Sequence, residues 1–446
     1  MSAGFQVGID WGTHSSKICV ADPKGDYIAA PLLSSDLLYR DEHLVFSPKG
    51  KLNPEDLVRG LKRDLIEHSL SVVFWGRDDR PNSGTSLGEA VAFSLMNLLA
   101  ESKRQLAKAH PTASFLEAEL GFSFPNWLAE DTRKATIAAE SFCEAVGVAV
   151  HVVASRPIEG LPAPGKAFSI KTLKEWTADA RVATQHNQGQ HLTIGDVNTT
   201  VFRSGTLEWR FIVESGAAGL PYLRAMRPEN RPGIPGLAKL LVVDVGAGST
   251  DVGYMLRTNN IKTGDPTFHY FRPASTFAEA GNALTEELVK YHRAQNRPIT
   301  WAEAEAQKVS QTAWHKLSFV QLWIRHICDH VAQYVVGVPD QRWLPLPVKV
   351  HLVVTGGSSL VPGLKDQLRQ AVVGALGDRR FDRQTCEAVQ VADRYRPRFN
   401  LDIEAEIARR AVCFGAADPD KPGFRYMPKM DPPPRGRLRL EGAPWT

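Results

Sequence analysis

Two short stretches of the chain carry the same arrangement of chemically useful residues. The first runs Val7-Gly8-Ile9-Asp10-Trp11-Gly12-Thr13-His14-Ser15-Ser16-Lys17, the second Val242-Val243-Asp244-Val245-Gly246-Ala247-Gly248-Ser249-Thr250-Asp251. In each, an apolar strand ends in an aspartate, a glycine follows two positions later, and an ionisable residue stands seven positions after the aspartate. The residue types suit a triphosphate. Gly12, Gly246 and Gly248 let backbone N–H groups approach phosphate oxygens closely. Thr13, Ser15 and Ser249 add hydroxyl donors. Asp10 and Asp244 would be repelled by bare phosphate and need a cation between, for which a hydrated Mg²⁺ fits. One Asp-Gly hairpin is ambiguous, because such turns are common. Two at matching offsets, with Gly356-Gly357 further on, point to related lobes that offer the same turn to a shared cleft.

The elements that must position these residues are readable in outline. Phe5, Val7 and Ile9 alternate and lead through the turn to Ile18 and Val20, a strand, turn and returning strand. Asn53-Pro54 opens a helical stretch through Leu61 and Leu65. Ser86-Leu87-Gly88-Glu89 is a capping box before helically spaced Val91, Leu95, Leu98, Leu99 and Leu106. A second helix is predicted from about Glu130 to Val146, with Gly147 at its C-terminal cap. Pro157–Leu207 is rich in Pro, Gly, Gln, Asn and Thr with weak apolar periodicity, and reads as an insertion outside the core. Lys239–Val243 and Val348–Val354 are continuous apolar runs, as in strands buried on both faces, and a helix starts near Gly363. Asp418–Thr446, Pro-rich and basic, reads as a disordered tail.

Composition narrows the class. At 446 residues, 43% of them apolar, the chain is too long for one core and calls for two lobes. A net charge of +4, without long basic–aromatic interleaving, argues against a dedicated nucleic-acid binder. Cys19, Cys143, Cys328, Cys386 and Cys413 form no C-x-x-C pair, as expected of reduced thiols in a cytoplasmic protein. No apolar run of membrane length and no leader pattern is visible in the sequence.

The two hairpins and the Gly356 element resemble, in order, the phosphate-1, phosphate-2 and adenosine motifs of the actin, heat-shock-chaperone and sugar-kinase ATPase superfamily. Within it the chain is most similar to the nucleotide-binding domain of DnaK-type chaperones. Asn53-Pro54 followed by Leu61-Lys62-Arg63 resembles the segment with the family's catalytic lysine. Phe124-Pro125-Asn126-Trp127 with Arg133-Lys134-Ala135-Thr136 resembles the chaperones' V-P-A-Y-F segment and following helix. Glu214-Ser215-Gly216-Ala217-Ala218 and Arg410–Ala417 look like the two connecting helices.

The resemblance implies an α/β fold of two lobes, each a mixed five-stranded-type sheet flanked by helices on a duplicated ribonuclease-H-like core. Lobe I would span 1–238, with a small subdomain at about 39–112 and the insertion at about 157–207. Lobe II would span 239–398, with a shortened subdomain at about 283–315, and residues 399–417 would return to lobe I ahead of the tail at 418–446. It implies ATP or ADP with Mg²⁺ as ligands. Asp10 and Asp244 would hold waters around Mg²⁺. Lys62 would neutralise charge on the γ-phosphoryl group, and Glu214 and Asp251 would position the attacking water. Gly12, Thr13, His14, Ser15, Lys17, Gly246, Ala247, Gly248, Ser249 and Gly281 would line the nucleotide. Gly356, Gly357 and Ser358 would hold the adenosine, and Glu305 and Lys308 its ribose.

The departures qualify the activity. His14 and Ser15 replace a threonine and a tyrosine of the chaperone loop, and Lys17 is closer to actins and plasmid-segregation filaments. Leu360 stands where the chaperones carry an arginine beside the adenine, and no β-rich peptide-binding domain follows. The favoured expectation is a slow ATPase switch acting with a protein partner, with 157–207 as the candidate surface for it. An actin-like filament and a small-molecule kinase are the alternatives; neither nucleic acid nor membrane is expected as a partner. His326 and His330, spaced for a helix face beside Leu322, Trp323, Val331 and Val335, read as structural and not as a zinc site. Trp11 reads as packing under its turn.

Overall fold

The computed structural model describes residues 4–446 apart from 25, 41, 51, 53–56, 68–83, 125–131, 185–200, 226–228, 232–233, 260–262, 265, 271–273, 311–315, 338–349, 378–386, 389–402, 419–423 and 427–446. Within that range the chain is mixed α/β. It divides into two compact units, Met1–Ile212 with Ala416–Pro419, and Val213–Gly415 with Asp420–Thr446.

The first unit is built on β1 (Gln6–Asp10), all five residues of which are buried, and on its hairpin partner β2 (Ser15–Ala21). Around them lie β3 (Tyr27–Ala29), β4 (Leu33–Ser34), β5 (Leu37–Arg40), β6 (His43–Phe46), β7 (Leu57–Val58) and α1 (Leu61–Glu67). There follow α2 (Leu87–Ala109), β8 (Glu119–Phe124), α3 (Thr132–Ala154), β9 (Ala167–Ser169), α4 (Ile170–Thr184), β10 (Val201–Ser204) and β11 (Leu207–Val213). The main sheet runs β10-β11-β8-β1-β2-β3, with β4 on β2; β7-β5-β6-β9 form a smaller sheet. β1 pairs antiparallel with β2 and parallel with β8.

The second unit is likewise built around a hairpin. It comprises α5 (Glu214–Ala225), β12 (Glu229–Arg231), β13 (Ile234–Val245), β14 (Thr250–Asn259), β15 (Pro266–Tyr270), β16 (Ser275–Phe277) and α6 (Gly281–Ala294). After these come α7 (Trp301–Ser310), α8 (Ser318–Val336), β17 (Val350–Thr355), α9 (Leu364–Gly377), β18 (Glu387–Ala388), α10 (Ile403–Ala416) and β19 (Phe424–Tyr426). Its sheet runs β18-β17-β13-β14-β15-β19, with β12 on β13 and β16 on β14. β13 pairs antiparallel with β14 and parallel with β17. Each unit thus has a hairpin whose first strand also takes a parallel neighbour and whose second strand takes an antiparallel one. The seven-residue spacing in the sequence is the register of these hairpins, since Asp10 lies opposite Lys17 and Asp244 opposite Asp251.

Packing explains where the structure departs from the sequence reading. The units divide after Ile212, not near 238, because α5 packs on the β13–β14 hairpin. A Cβ on Gly219 would come within 2.4 Å of Met255 and 2.9 Å of Val242. The helix α10 belongs to the second unit up to Gly415 and does not return wholly to the first. Leu57–Val58 form a strand on β5, so the helix begins only at Leu61, and Asn53-Pro54 lie outside the described residues. The helix predicted to stop at Gly147 continues to Ala154; a Cβ there would meet nothing within 4 Å, so this glycine caps nothing. Leu322 is 49% exposed and not core. Phe424–Tyr426 of the expected tail pair with β15, while 427–446 lie outside the described residues.

Pro157–Leu207 requires the largest correction. Its β9 completes the small sheet against β6, its α4 packs on α3 and α2, and its β10 is the edge strand of the main sheet. Ile170, Leu173, Thr177, Ala180 and Thr184 are the buried stripe of α4. Two of these are threonines whose hydroxyls bond the preceding turn, at Lys174 O (3.1 Å) and Ala180 O (2.9 Å), so the stripe carries a weak hydrophobic signal. Lys103 and Arg104 of α2 hold the approach to α4, donating to Arg156 O (2.8 Å) and Pro162 O (2.9 Å). Residues 185–200 lie outside the described residues.

The capping box forms as predicted: Ser86 Oγ accepts from Glu89 N–H at 3.2 Å, and Glu89 Oε2 accepts from Ser86 N–H at 2.7 Å. Removing it with Ser86→Ala should cost ~1 kcal/mol, read as a lower denaturation midpoint; an unchanged midpoint would show that burial of α2 alone holds this end. The stretch Ile137–Ala154 is apolar enough to cross a membrane, with mean hydropathy 1.6, but 61% of it is buried inside the protein. It is a core helix.

Candidate functional site

In the second unit, the turn Gly246–Ser249 is fixed by its carbonyl groups. Gly246 N–H donates to Ser249 O (2.9 Å), closing the turn. Gly246 O accepts from Gly281 N–H (3.0 Å) and Ser358 Oγ (3.1 Å), and Ala247 O accepts from Asn282 N–H (2.7 Å). Those N–H groups open α6, where a helix has donors without intrahelical partners. The residue before it, Ala280, offers no side-chain cap, so the turn does that work. In a trans peptide the C=O and the following N–H point opposite ways. With its carbonyls turned to α6, the turn presents Ala247 N–H and Gly248 N–H away from it, a small backbone concavity suited to an anion.

The two aspartates flank this concavity from adjacent strands. Asp251 is 3% exposed; its Oδ2 accepts from Ser249 Oγ (3.1 Å) and its Oδ1 from Thr276 Oγ1. Asp244 lies beneath Gly356, which has φ +88°. A Cβ on Gly356 would fall 2.4 Å from Asp244 Oδ1 and 2.4 Å from Val245 O, so this close approach at positive φ requires glycine. Gly356 N–H and Thr355 Oγ1 both donate to Ala408 O on α10, at 2.9 and 2.7 Å. Glu214, 5% exposed, is the first residue of α5 in the same unit.

Lys308 on α7 is 2% exposed and donates to Glu305 Oε1 (2.8 Å), Thr285 Oγ1 (3.1 Å) and Gly281 O (3.2 Å). Burial lowers its pKa, and the Glu305 carboxylate opposes that shift. A Cβ on Gly281 would collide with Ser358 Oγ and come within 2.8 Å of Lys308 Nζ. Gly281, Lys308, Glu305 and Ser358 are therefore brought together. Gly357 follows Gly356 at the start of a short 3₁₀ turn. Ser359, Leu360, Val361, Pro362, Gly363, Lys365, Asp366 and Ala405 line an open depression beside it.

The first unit holds a turn of the same construction. Gly12 O accepts from Ser35 Oγ (2.6 Å) and His14 O from Ser35 N–H (2.9 Å), which turns Thr13 N–H away from Ser35. A Cβ on Gly12 would fall 2.3 Å from Ser15 O, so the tightness of the turn requires glycine. Asp10 is 4% exposed, with Oδ2 paired to Lys17 Nζ at 2.8 Å and Oδ1 accepting from Ser123 Oγ at 3.1 Å. The turn thus carries its own cation beside the aspartate. Thr13, His14, Ser15 and Lys17 are half-buried, as is Lys62, the second residue of α1. Trp11 is 2% exposed and stacks on Phe142 at 5.5 Å, which fits packing beneath the turn.

Sequence reasoning missed the residues that brace these turns: Ser35 and Ser123 in the first unit, and Thr276, Asn282 and Thr285 in the second. A lone polar residue, or a backbone N–H, that is distant in sequence gives no signal in one sequence. Among the described residues no group of three or more His, Cys, Asp and Glu could hold a metal ion. His330 instead lies 3.3 Å from Glu279 and stacks on Phe277. The chain matches no protein-family model and no curated protein.

Proposed function

We propose that the chain binds Mg-ATP and hydrolyses it slowly, as a nucleotide-dependent switch with the two-lobed fold of the actin and heat-shock-chaperone superfamily. The observation that carries this reading is the turn Gly246–Ser249. Its carbonyls are tied to α6, its N–H groups are directed outward, and two carboxylates stand at its base. The second turn of like construction at Gly12–Ser15, and the matching strand order of the two sheets, support it. Mg²⁺ suits this donor set: it prefers few protein carboxylates, several waters and the phosphates themselves. Asp244, against which Gly356 packs, would hold its waters, and Asp10, paired with Lys17, is the corresponding carboxylate of the first unit. When bound, the ion offsets charge on the phosphates. Asp251 and Glu214 would orient the attacking water, and Lys62 would face the γ-phosphoryl group.

A protein partner belongs to this reading because a slow ATPase of such a fold acts by changing shape for something else. The reading does not need 157–207 as a separate docking module, since its described parts are built into the first unit.

The direct test is thermal. At a hundredfold excess over Kd, ligand binding adds ~2.7 kcal/mol of stability, so Mg-ATP and Mg-ADP should raise Tm by several degrees and chelation of Mg²⁺ should reverse most of it. No shift with either nucleotide, under conditions where an established ATPase responds, would defeat the proposal.

A further inference from the structure

We propose that Thr276 is a positioning residue for ATP turnover, holding the Asp251 carboxylate in its working orientation; the inference rests on the function proposed above. Thr276 lies on β16, opposite Asp251 in the antiparallel pairing with β14, and its hydroxyl donates to Asp251 Oδ1. Ser249 Oγ donates to the other oxygen at 3.1 Å. One donor on each oxygen removes the rotation that a carboxylate otherwise keeps about its last torsion. An ionised carboxylate has about four lone-pair sites, more than these two donors fill.

β16 pairs with β14, and the residues that follow it are tied down. Thr250 Oγ1 donates to Glu279 O (2.6 Å), Trp323 Nε1 to Ala280 O (2.9 Å), and Gly281 N–H to Gly246 O (3.0 Å). Phe277 stacks on His330 at 4.6 Å. The strand therefore has supports besides the Thr276 hydroxyl, which donates to Asp251. Its position between the Gly246 turn and the start of α6 makes it a brace for the carboxylate.

The experiment compares wild type, Thr276→Val and Thr276→Ser in steady-state turnover, with nucleotide Kd and Tm measured alongside. Valine preserves shape and β-branching and removes only the donor. Loss of one hydrogen bond to a charged group corresponds to about a tenfold effect or somewhat more. Thr276→Val should therefore lower kcat about tenfold with KM and nucleotide Kd nearly unchanged, and Thr276→Ser should restore kcat to within about twofold. Turnover unchanged in Thr276→Val overturns the inference. So does a serine variant as slow as valine, which would assign the effect to packing, and so does a KM effect equal to the kcat effect. Absence of turnover in the wild type removes the proposed function and this inference together, whereas the preceding outcomes, obtained with an active wild type, remove this inference alone.

Discussion

Asp251→Asn should slow the proposed ATP turnover by ~10²–10⁴-fold, the usual worth of a positioned acid–base or water-orienting group, and leave Mg-ATP binding within a few-fold of wild type. The substitution nearly conserves volume, and an amide oxygen can still accept from Ser249 or Thr276. What it removes is the charged acceptor proposed to orient the attacking water, in a site where Asp251 is only 3% exposed. A charge so enclosed acts at lower effective dielectric than one in water, so its loss is felt in the chemical step more than in ground-state binding. Glu214→Gln should behave alike, because Glu214 is also buried at 5% exposure, at the N-terminus of α5. Single-turnover rates, with nucleotide Kd from titration, separate the two quantities. Undiminished turnover in both variants would show that neither carboxylate has the role assigned to it. Loss of binding in proportion to loss of rate would show that they hold the nucleotide and do not act on water.

How much of this was legible in the sequence depended on whether the signal was local. The two hairpins were readable because strand, turn glycine and paired residue fall within one stretch of chain; the i, i+7 spacing is the hairpin register itself. The capping box at Ser86 was readable for the same reason. Positions such as Ser35 and Thr276 were not, since each meets a partner more than twenty residues away in sequence that only the fold brings near. The α4 segment was misread because its buried stripe includes Thr177 and Thr184 where leucines would have announced a helix. Gly147 shows the opposite failure. A glycine has a strong textual meaning as a cap, but in α3 it faces open space and the helix passes through it.

Gly415→Ala should destabilise the second unit by ~1–3 kcal/mol or more, as one added methyl does in a close-packed contact. Gly415 is the second-last residue of α10, and a Cβ there would fall 1.8 Å from Ala217 O and 2.8 Å from Ala217 Cα on α5. The obstacle is backbone, so no side-chain rotation relieves it, and the two helices must move apart. Their separation would disturb both ends of the site: α5 begins with Glu214, and Ala408 of α10 accepts from Gly356 N–H and Thr355 Oγ1. A helical glycine replaced by alanine gains ~0.5–1 kcal/mol from backbone entropy when nothing obstructs it. Gly374 on α9 of the same unit supplies that control, for a Cβ there would meet nothing within 4 Å. Gly374→Ala should raise Tm slightly and Gly415→Ala should lower it, by about 2–4 °C per kcal/mol for a unit of this size. Shifts of the same sign in the two variants would mean that α5 and α10 do not approach as closely as Gly415 and Ala217 require.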